Sequence, residues 1–161
     1  MVKIDKPICE LLLVINNETL ERYAVHYFQL HPRARKKPIL HPYHESINKW
    51  MIMKRPQMNA LKQKWKDFII WLVSDYGYEN MRIDKCKILF RTYYKTNMRH
   101  DTDNSAPKFI LDGLCENNFI NDDDCKHILR LSLECDVDKE NPRTEIHIKV
   151  FGFDKNFKRI E

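Results

Sequence analysis

Between residues 57 and 74, apolar side chains return at steps of three and four: Met58, Leu61, Trp65, Phe68, Ile69 and Leu72. That spacing lines up one buried stripe of an α-helix. Pro56 suits the first helical position, and Gly77 stands where a helix stops. Lys62, Lys64 and Lys66 fall on the other faces, toward solvent. Further along the period changes to two. Cys86, Ile88, Phe90 and Tyr94 alternate with Lys87, Arg91 and Lys95, which predicts a half-buried strand over 86–94. Residues 126–134 alternate with Leu129, Leu131 and Leu133 on one face, and 144–150 with Ile146, Ile148 and Val150 inward. Asn141-Pro142 is a turn signal, so these last two strands are expected to form a hairpin. Before them, 107–116 reads as a short helix: Ser105 or Ala106 caps it, Pro107 starts it, and Ile110, Leu111 and Leu114 pack inward.

The N-terminal part is less periodic. Residues 8–15 (ICELLLVI) predict a strand, Asn16-Asn17 a turn, and 22–30 a second, returning strand. Residues 31–45 carry three prolines and a basic cluster and read as a loop. No internal repeat or linker divides the 161 residues, so a single domain is expected. Strands and helices mix along the chain and the end is antiparallel. The fold class is therefore α+β, a small mixed β-sheet packed against two helices.

Composition narrows the setting. Aromatic residues at 11% and only three glycines speak for a packed core rather than disorder. No run of 18 apolar residues offers a membrane span, and the N-terminus lacks the pattern of a signal peptide. A soluble, cytoplasmic protein without a membrane partner is expected. The cysteines, Cys9, Cys86, Cys115, Cys125 and Cys135, form no C-x-x-C pair and are read as reduced thiols. Cys125 and His127 lie two apart, a weak ligand spacing.

Charge is divided unevenly. Residues 33–100 hold 16 Lys and Arg against 5 acidic residues, a balance of +11, whereas 101–138 hold 3 against 10, a balance of −7. A basic surface attracts a polyanion such as nucleic acid. The acidic part would repel it unless a cation sits there. Six of the acids are aspartates at 101, 103, 112, 122, 123 and 124. In an extended stretch, Asp101 and Asp103 would point to the same side. Asp122, Asp123 and Asp124 follow the 107–116 helix, and a short connection would return them to the first pair. Carboxylates gathered in one cleft call for Mg²⁺ or Mn²⁺, hard cations that take oxygen ligands and leave room for water and phosphate. Such an ion can activate water toward a phosphodiester. Lys108 has two readings, a cation for the transition state or a helix ion pair with Asp112 four residues on. The aspartates have a plainer reading as turn residues; a calcium loop is another option, disfavoured by the missing glycine and terminal glutamate.

With these residues in view, a family is suggested. Asp101-Thr102-Asp103-Asn104, then Lys108, Asp112-Gly113-Leu114 and Ile120-Asn121-Asp122-Asp123, with Ser46-Ile47-Asn48-Lys49-Trp50 upstream, resemble RusA-like Holliday-junction resolvases. The resemblance covers roughly 44–151, which it implies is the core, with 1–43 an N-terminal extension. It implies a RusA-like fold and a small, Mg²⁺-dependent, homodimeric endodeoxyribonuclease of recombination and repair, often carried by prophages. It assigns the metal to Asp101, Asp103 and Asp123 and a catalytic role to Lys108. Lys108 lies one residue further from D-x-D-N than in the family's pattern, yet keeps its four-residue distance to Asp112. The third aspartate, Asp124, leaves the choice within 122–124 open.

The expected function is resolution of branched DNA by paired phosphodiester hydrolysis in a homodimer. A non-catalytic DNA-binding or replication accessory protein with the same fold is the alternative, and a purely structural, partner-binding protein a third. Lys54, Arg55, Lys62, Lys66, Arg91 and Lys95 are the expected DNA contacts, with Lys54 and Arg55 preferred; solvated charge is the competing reading for each. Tyr43 and Trp50 are read as core or as base-stacking residues, Trp65 as core, and His100 as a neighbour of Asp101 that could assist it.

Overall fold

The computed structural model describes residues 6–155. Four strands, β1 (Cys9–Asn16), β2 (Ile83–Tyr94), β3 (Ile128–Val137) and β4 (Arg143–Phe153), form one mixed sheet in the order β1-β4-β2-β3. Helices α1 (Asn17–Leu30), α3 (Arg55–Asp75) and α4 (Lys108–Glu116) accompany it, with a single turn, α2 (Ile47–Trp50), between the first two. The α+β class with a mixed sheet is as expected. Residues 1–5, the start of the expected extension, lie outside the described residues.

The long helix forms for the predicted reason. Trp65, Phe68, Ile69 and Leu72 are fully buried, and Met58 and Leu61 pack at the edge of the same core. Removing each large side chain from water stabilises the fold by about 1.5–3 kcal/mol. Gly77, with φ of +75°, takes the left-handed position just past the helix end. At Gly113 the two main helices come so close that a Cβ there would meet the Cβ of Ile69 at 2.8 Å. A side chain at 113 would push α4 off α3.

Three expectations are corrected. Residues 22–30 are not a strand. They belong to α1, which buries Thr19, Leu20, Tyr23 and Ala24 at helical spacing. Asn16 does not open a hairpin turn; it caps this helix. Its Oδ1 accepts from the Thr19 N–H at 2.9 Å, and Thr19 Oγ1 accepts from the Asn16 N–H at 3.3 Å.

The last two strands are not a hairpin either. β2 lies between them, parallel to β3 and antiparallel to β4. A parallel pair needs a crossover, and the segment through α4 provides it. β4 is interior, paired with β1 on one side and β2 on the other, and its Thr144, Ile146, Ile148 and Val150 are all buried. β3 is one of the two edge strands, and on it Leu129 and Leu131 remain exposed.

The third correction concerns residues around α4. Asp103 is not in an extended stretch but in a 3-10 turn, Thr102–Ser105, with Asp101 at its N-cap. Ser105 does not cap α4: its Oγ donates to the Thr102 carbonyl at 2.6 Å. Pro107 occupies the N-cap, without a side-chain hydrogen bond. The helix start is satisfied from elsewhere. His44 Nε2 accepts from the Phe109 N–H at 3.0 Å.

The helices cover one face of the sheet. Leu13, Ile15, Ile88, Phe90, Ile146 and Ile148 point into that core. None of the five cysteines is disulfide-bonded. No helix among the described residues is long and apolar enough to cross a membrane.

Candidate active site

Helix α4 organises the candidate residues. Its first residue, Lys108, lies one turn before Asp112, so the two side chains share a face. Lys108 Nζ donates to Asp112 Oδ1 at 2.9 Å, which is the helix ion pair that the spacing allowed. Asp112 is mostly buried and Lys62, reaching over from α3, stands 3.5 Å from its other oxygen. One carboxylate thus holds two ammonium groups. The hydrogen bond to Asp112 keeps the Lys108 ammonium above the ordinary lysine range, with Asp112 and Asp123 adding charge attraction against the cost of burial. Lys108 is a fixed cation at neutral pH, suited to meeting negative charge and unsuited to taking a proton.

A shallow cleft of about 280 Å³ opens beside this pair, lined by Lys62, Lys66, Asp112, Cys115, Glu116 and Asp123. Lys66 is ion-paired with Glu116 across the α3–α4 groove. Asp123 is the member of the late aspartate group that lines the cleft. Asp122 turns back, accepting the Asp123 N–H at 2.7 Å. Cys115 lies beneath; burial first, then Asp123 and Asp122, push its thiol up to about 12, so it remains a neutral thiol.

Asp124 serves the backbone. Its Oδ1 accepts from the Lys126 and His127 N–H groups at 3.0 and 3.1 Å and lies 2.5 Å from His127 Nδ1. The His127 contact holds the Asp124 carboxyl below the usual carboxylate range. On its other side His127 Nε2 is 3.6 Å from Asp84 Oδ1, at the start of β2. Among the described residues, Asp122, Asp124 and His127 are the one trio whose ligating atoms lie within 4.8 Å of one another. Sequence reasoning missed Asp84, which only the β2–β3 pairing brings near. His127 carried only the weak two-residue spacing from Cys125, and the structure instead sets it against Asp124.

The early pair sits at the opposite end of α4. Asp101 lies 3.6 Å from Arg99, and both it and Asp103 are exposed. Their turn is anchored by Ser105, buried beside Cys135 of β3 at 3.4 Å. In the chain, the nine residues of α4 lie between this turn and the segment that carries Asp123. Asp101, Asp103 and Asp123 are not among the close trios of the described residues. Their exposed carboxylate oxygens are nonetheless the hard donors that Mg²⁺ or Mn²⁺ takes.

The expected DNA contacts divide among three places. Lys54 caps α3 and Arg55 begins it, both exposed; Lys62 and Lys66 further along the helix are drawn onto α4. Arg91 is on the other face of the sheet, bonded to Glu134 at 2.7 Å. Lys95 is exposed in the bend after β2. Trp65 is core, and its Nε1 donates to Glu45 at 2.8 Å. Trp50 packs with its ring 5.4 Å from Phe109, and Tyr43 with its ring 4.9 Å from Tyr94. His100 stacks on Tyr94 at 3.7 Å, directly before Asp101.

The family model for endodeoxyribonuclease RusA matches residues 19–149. The chain belongs to the RusA family. The match runs from within α1 to within β4 and takes in every candidate residue above. No individual curated protein matches the chain. Membership of the RusA family makes this a DNA-cleaving protein of the Holliday-junction resolvase type. The cation held over Asp112 and the carboxylates at both ends of α4 therefore stand in a nuclease.

Proposed function

We propose that the protein is a divalent-metal-dependent endonuclease that resolves four-way DNA junctions, two copies making paired cuts. The observation that carries this reading is Lys108, held at 2.9 Å by Asp112, which with Asp123 lines an open cleft of a RusA-family chain. A cleft floored by acid and rimmed by cations suits a phosphodiester once a metal offsets the acid.

Asp101, Asp103 and Asp123 would hold Mg²⁺, with Mn²⁺ an accepted substitute, and the ion would supply a polarised phosphate and an activated water. Lys108 offers its ammonium to charge developing on the phosphate, and Asp112 fixes where that ammonium points. Lys54 and Arg55 meet the DNA backbone at the exposed start of α3. The dimer gives two such sites for two cuts.

Cleavage of a synthetic four-way junction with Mg²⁺ or Mn²⁺, run beside Asp103→Asn, tests the reading. Wild type should give paired cuts and the variant should bind without cutting. Salt-sensitive binding without turnover by the wild type, or equal cutting by the variant, would overturn it and favour the accessory-protein alternative.

A further inference from the structure

Lys62 and Lys66 stand four residues apart on α3 and so share one face of that helix. On α4, Asp112 and Glu116 have the same spacing. The two pairs meet as rungs across the groove between the helices. Lys66 is ion-paired with Glu116, and Lys62 Nζ stands 3.5 Å from Asp112 Oδ2. The Asp112 rung carries a third member, because Lys108 Nζ donates to its Oδ1 at 2.9 Å.

The two oxygens of Asp112 are served unequally. Oδ2 is buried and accepts no hydrogen bond from the described residues; Lys62 faces it from beyond good hydrogen-bond range. The Asp112 side chain is only 12% exposed, whereas those of Lys62 and Lys108 are 42% and 52% exposed. A nearly buried carboxylate therefore lies between two ammonium groups, each on a flexible stem with room to move. To meet charge developing on a phosphate, Lys108 must turn away from Asp112. With no other cation at hand, that turn strands a buried charge, which is strongly unfavourable. Lys62 removes the penalty. By closing from 3.5 Å to about 2.9 Å it gives Oδ2 a hydrogen bond as Oδ1 loses one. Lys62 also lines the cleft together with Asp112 and Asp123. Lys66 is a poorer candidate, being 17% exposed and held by Glu116.

We propose that Lys62 is a positioning residue for the cleavage reaction, the counter-cation that keeps Asp112 paired while Lys108 turns to the phosphate. This rests on the nuclease reading and on the part Lys108 plays in it. Lys62 acts through Asp112, and its effect does not require contact with DNA.

Three measurements on the full chain test it: single-turnover junction cleavage in Mg²⁺, junction binding in Ca²⁺, and the ¹⁵N-detected Lys108 ammonium resonance of the metal-free protein. Lys62→Met should slow cleavage about tenfold or more and leave junction affinity within about twofold of wild type. Lys62→Arg should recover most of the rate, since a guanidinium can also donate to Oδ2. In an Asp112→Asn background, Lys62→Met should change the rate little, because no buried charge is left to pair. In Lys62→Met alone, the Lys108 ammonium has Asp112 to itself and should exchange its protons with water more slowly than in wild type. Equal cleavage by Lys62→Met and wild type overturns the inference and leaves the nuclease reading standing. A loss of junction affinity that matches the loss of rate also overturns it, as Lys62 would then be a DNA contact. So does a rate loss as large with Asp112→Asn as without it. An unchanged Lys108 resonance in Lys62→Met overturns it with no cleavage measured. A wild type that does not cut overturns the nuclease reading, and this inference with it.

Discussion

His44 is the side chain whose replacement tests the structure of this site most sharply. It is buried, its Nε2 accepts from the Phe109 N–H at 3.0 Å, and its Nδ1 lies 2.7 Å from the Glu45 carbonyl. Both contacts require one neutral tautomer, with the proton on Nδ1. The ring also lies 5.6 Å from Trp65 and 5.0 Å from Phe109. His44→Phe keeps an aromatic ring there and removes the acceptor. The Phe109 N–H, one of the open donors at the start of α4, is then buried without a partner, at a cost of about 1–3 kcal/mol. With a urea dependence of about 2 kcal/mol per molar, a loss of 2 kcal/mol lowers the midpoint by about 1 M. The pH dependence supplies the second readout. Burial holds the His44 imidazole below its ordinary value, outweighing the Glu45 contacts that favour the charged form. A base depressed in the fold contributes fully above its unfolded value of about 6.5, and that contribution is lost as pH falls through it. Wild type should therefore lose stability between about pH 7 and pH 5.5 by up to about 1.4 kcal/mol per unit from this group, and His44→Phe should lack that part of the slope. Urea melts of both proteins across this range make the check. An unchanged midpoint at about pH 7.5, or identical slopes in the two proteins, would refute the capping role.

The other predictions are simpler. Gly113→Ala forces a Cβ to within 2.8 Å of Ile69 Cβ and should cost about 1–3 kcal/mol, read as a lower thermal midpoint. Asn16→Ala removes half of the capping box of α1 and should cost about 1 kcal/mol by the same measurement. Lys108→Met should slow junction cleavage roughly 100-fold or more while leaving binding in Ca²⁺ nearly unchanged; equal loss of binding would make Lys108 a docking residue instead. Asp112→Asn should let the Lys108 ammonium titrate at lower pH, since its first support is that hydrogen bond, visible as a shifted Lys108 resonance in ¹⁵N-detected spectra.

Local patterns made much of this protein readable. The 57–74 stripe, the alternation over 86–94 and the Lys108–Asp112 spacing each depend on neighbours within a few residues, and each appears in the structure. α1 was legible in principle. Leu20, Tyr23, Ala24 and Tyr27 follow helical spacing, but aromatic residues and an asparagine pair favoured the strand reading.

What lay beyond the sequence was partnership between distant segments. Alternation in β3 and β4 says that each is a strand, but not that β2 lies between them, because side-chain period carries no information about hydrogen-bonded neighbours. Nor does it say that His44 closes the start of α4 across 65 residues, or that Lys62 shares Asp112 with Lys108. The charge imbalance of residues 101–138 was set by the sequence alone. Its division into a turn before α4, a cleft beside it and a β3 anchor at Asp124 was decided only by folding. A rigid helix keeps its two ends apart, and each end finds its contacts in a different part of the sheet.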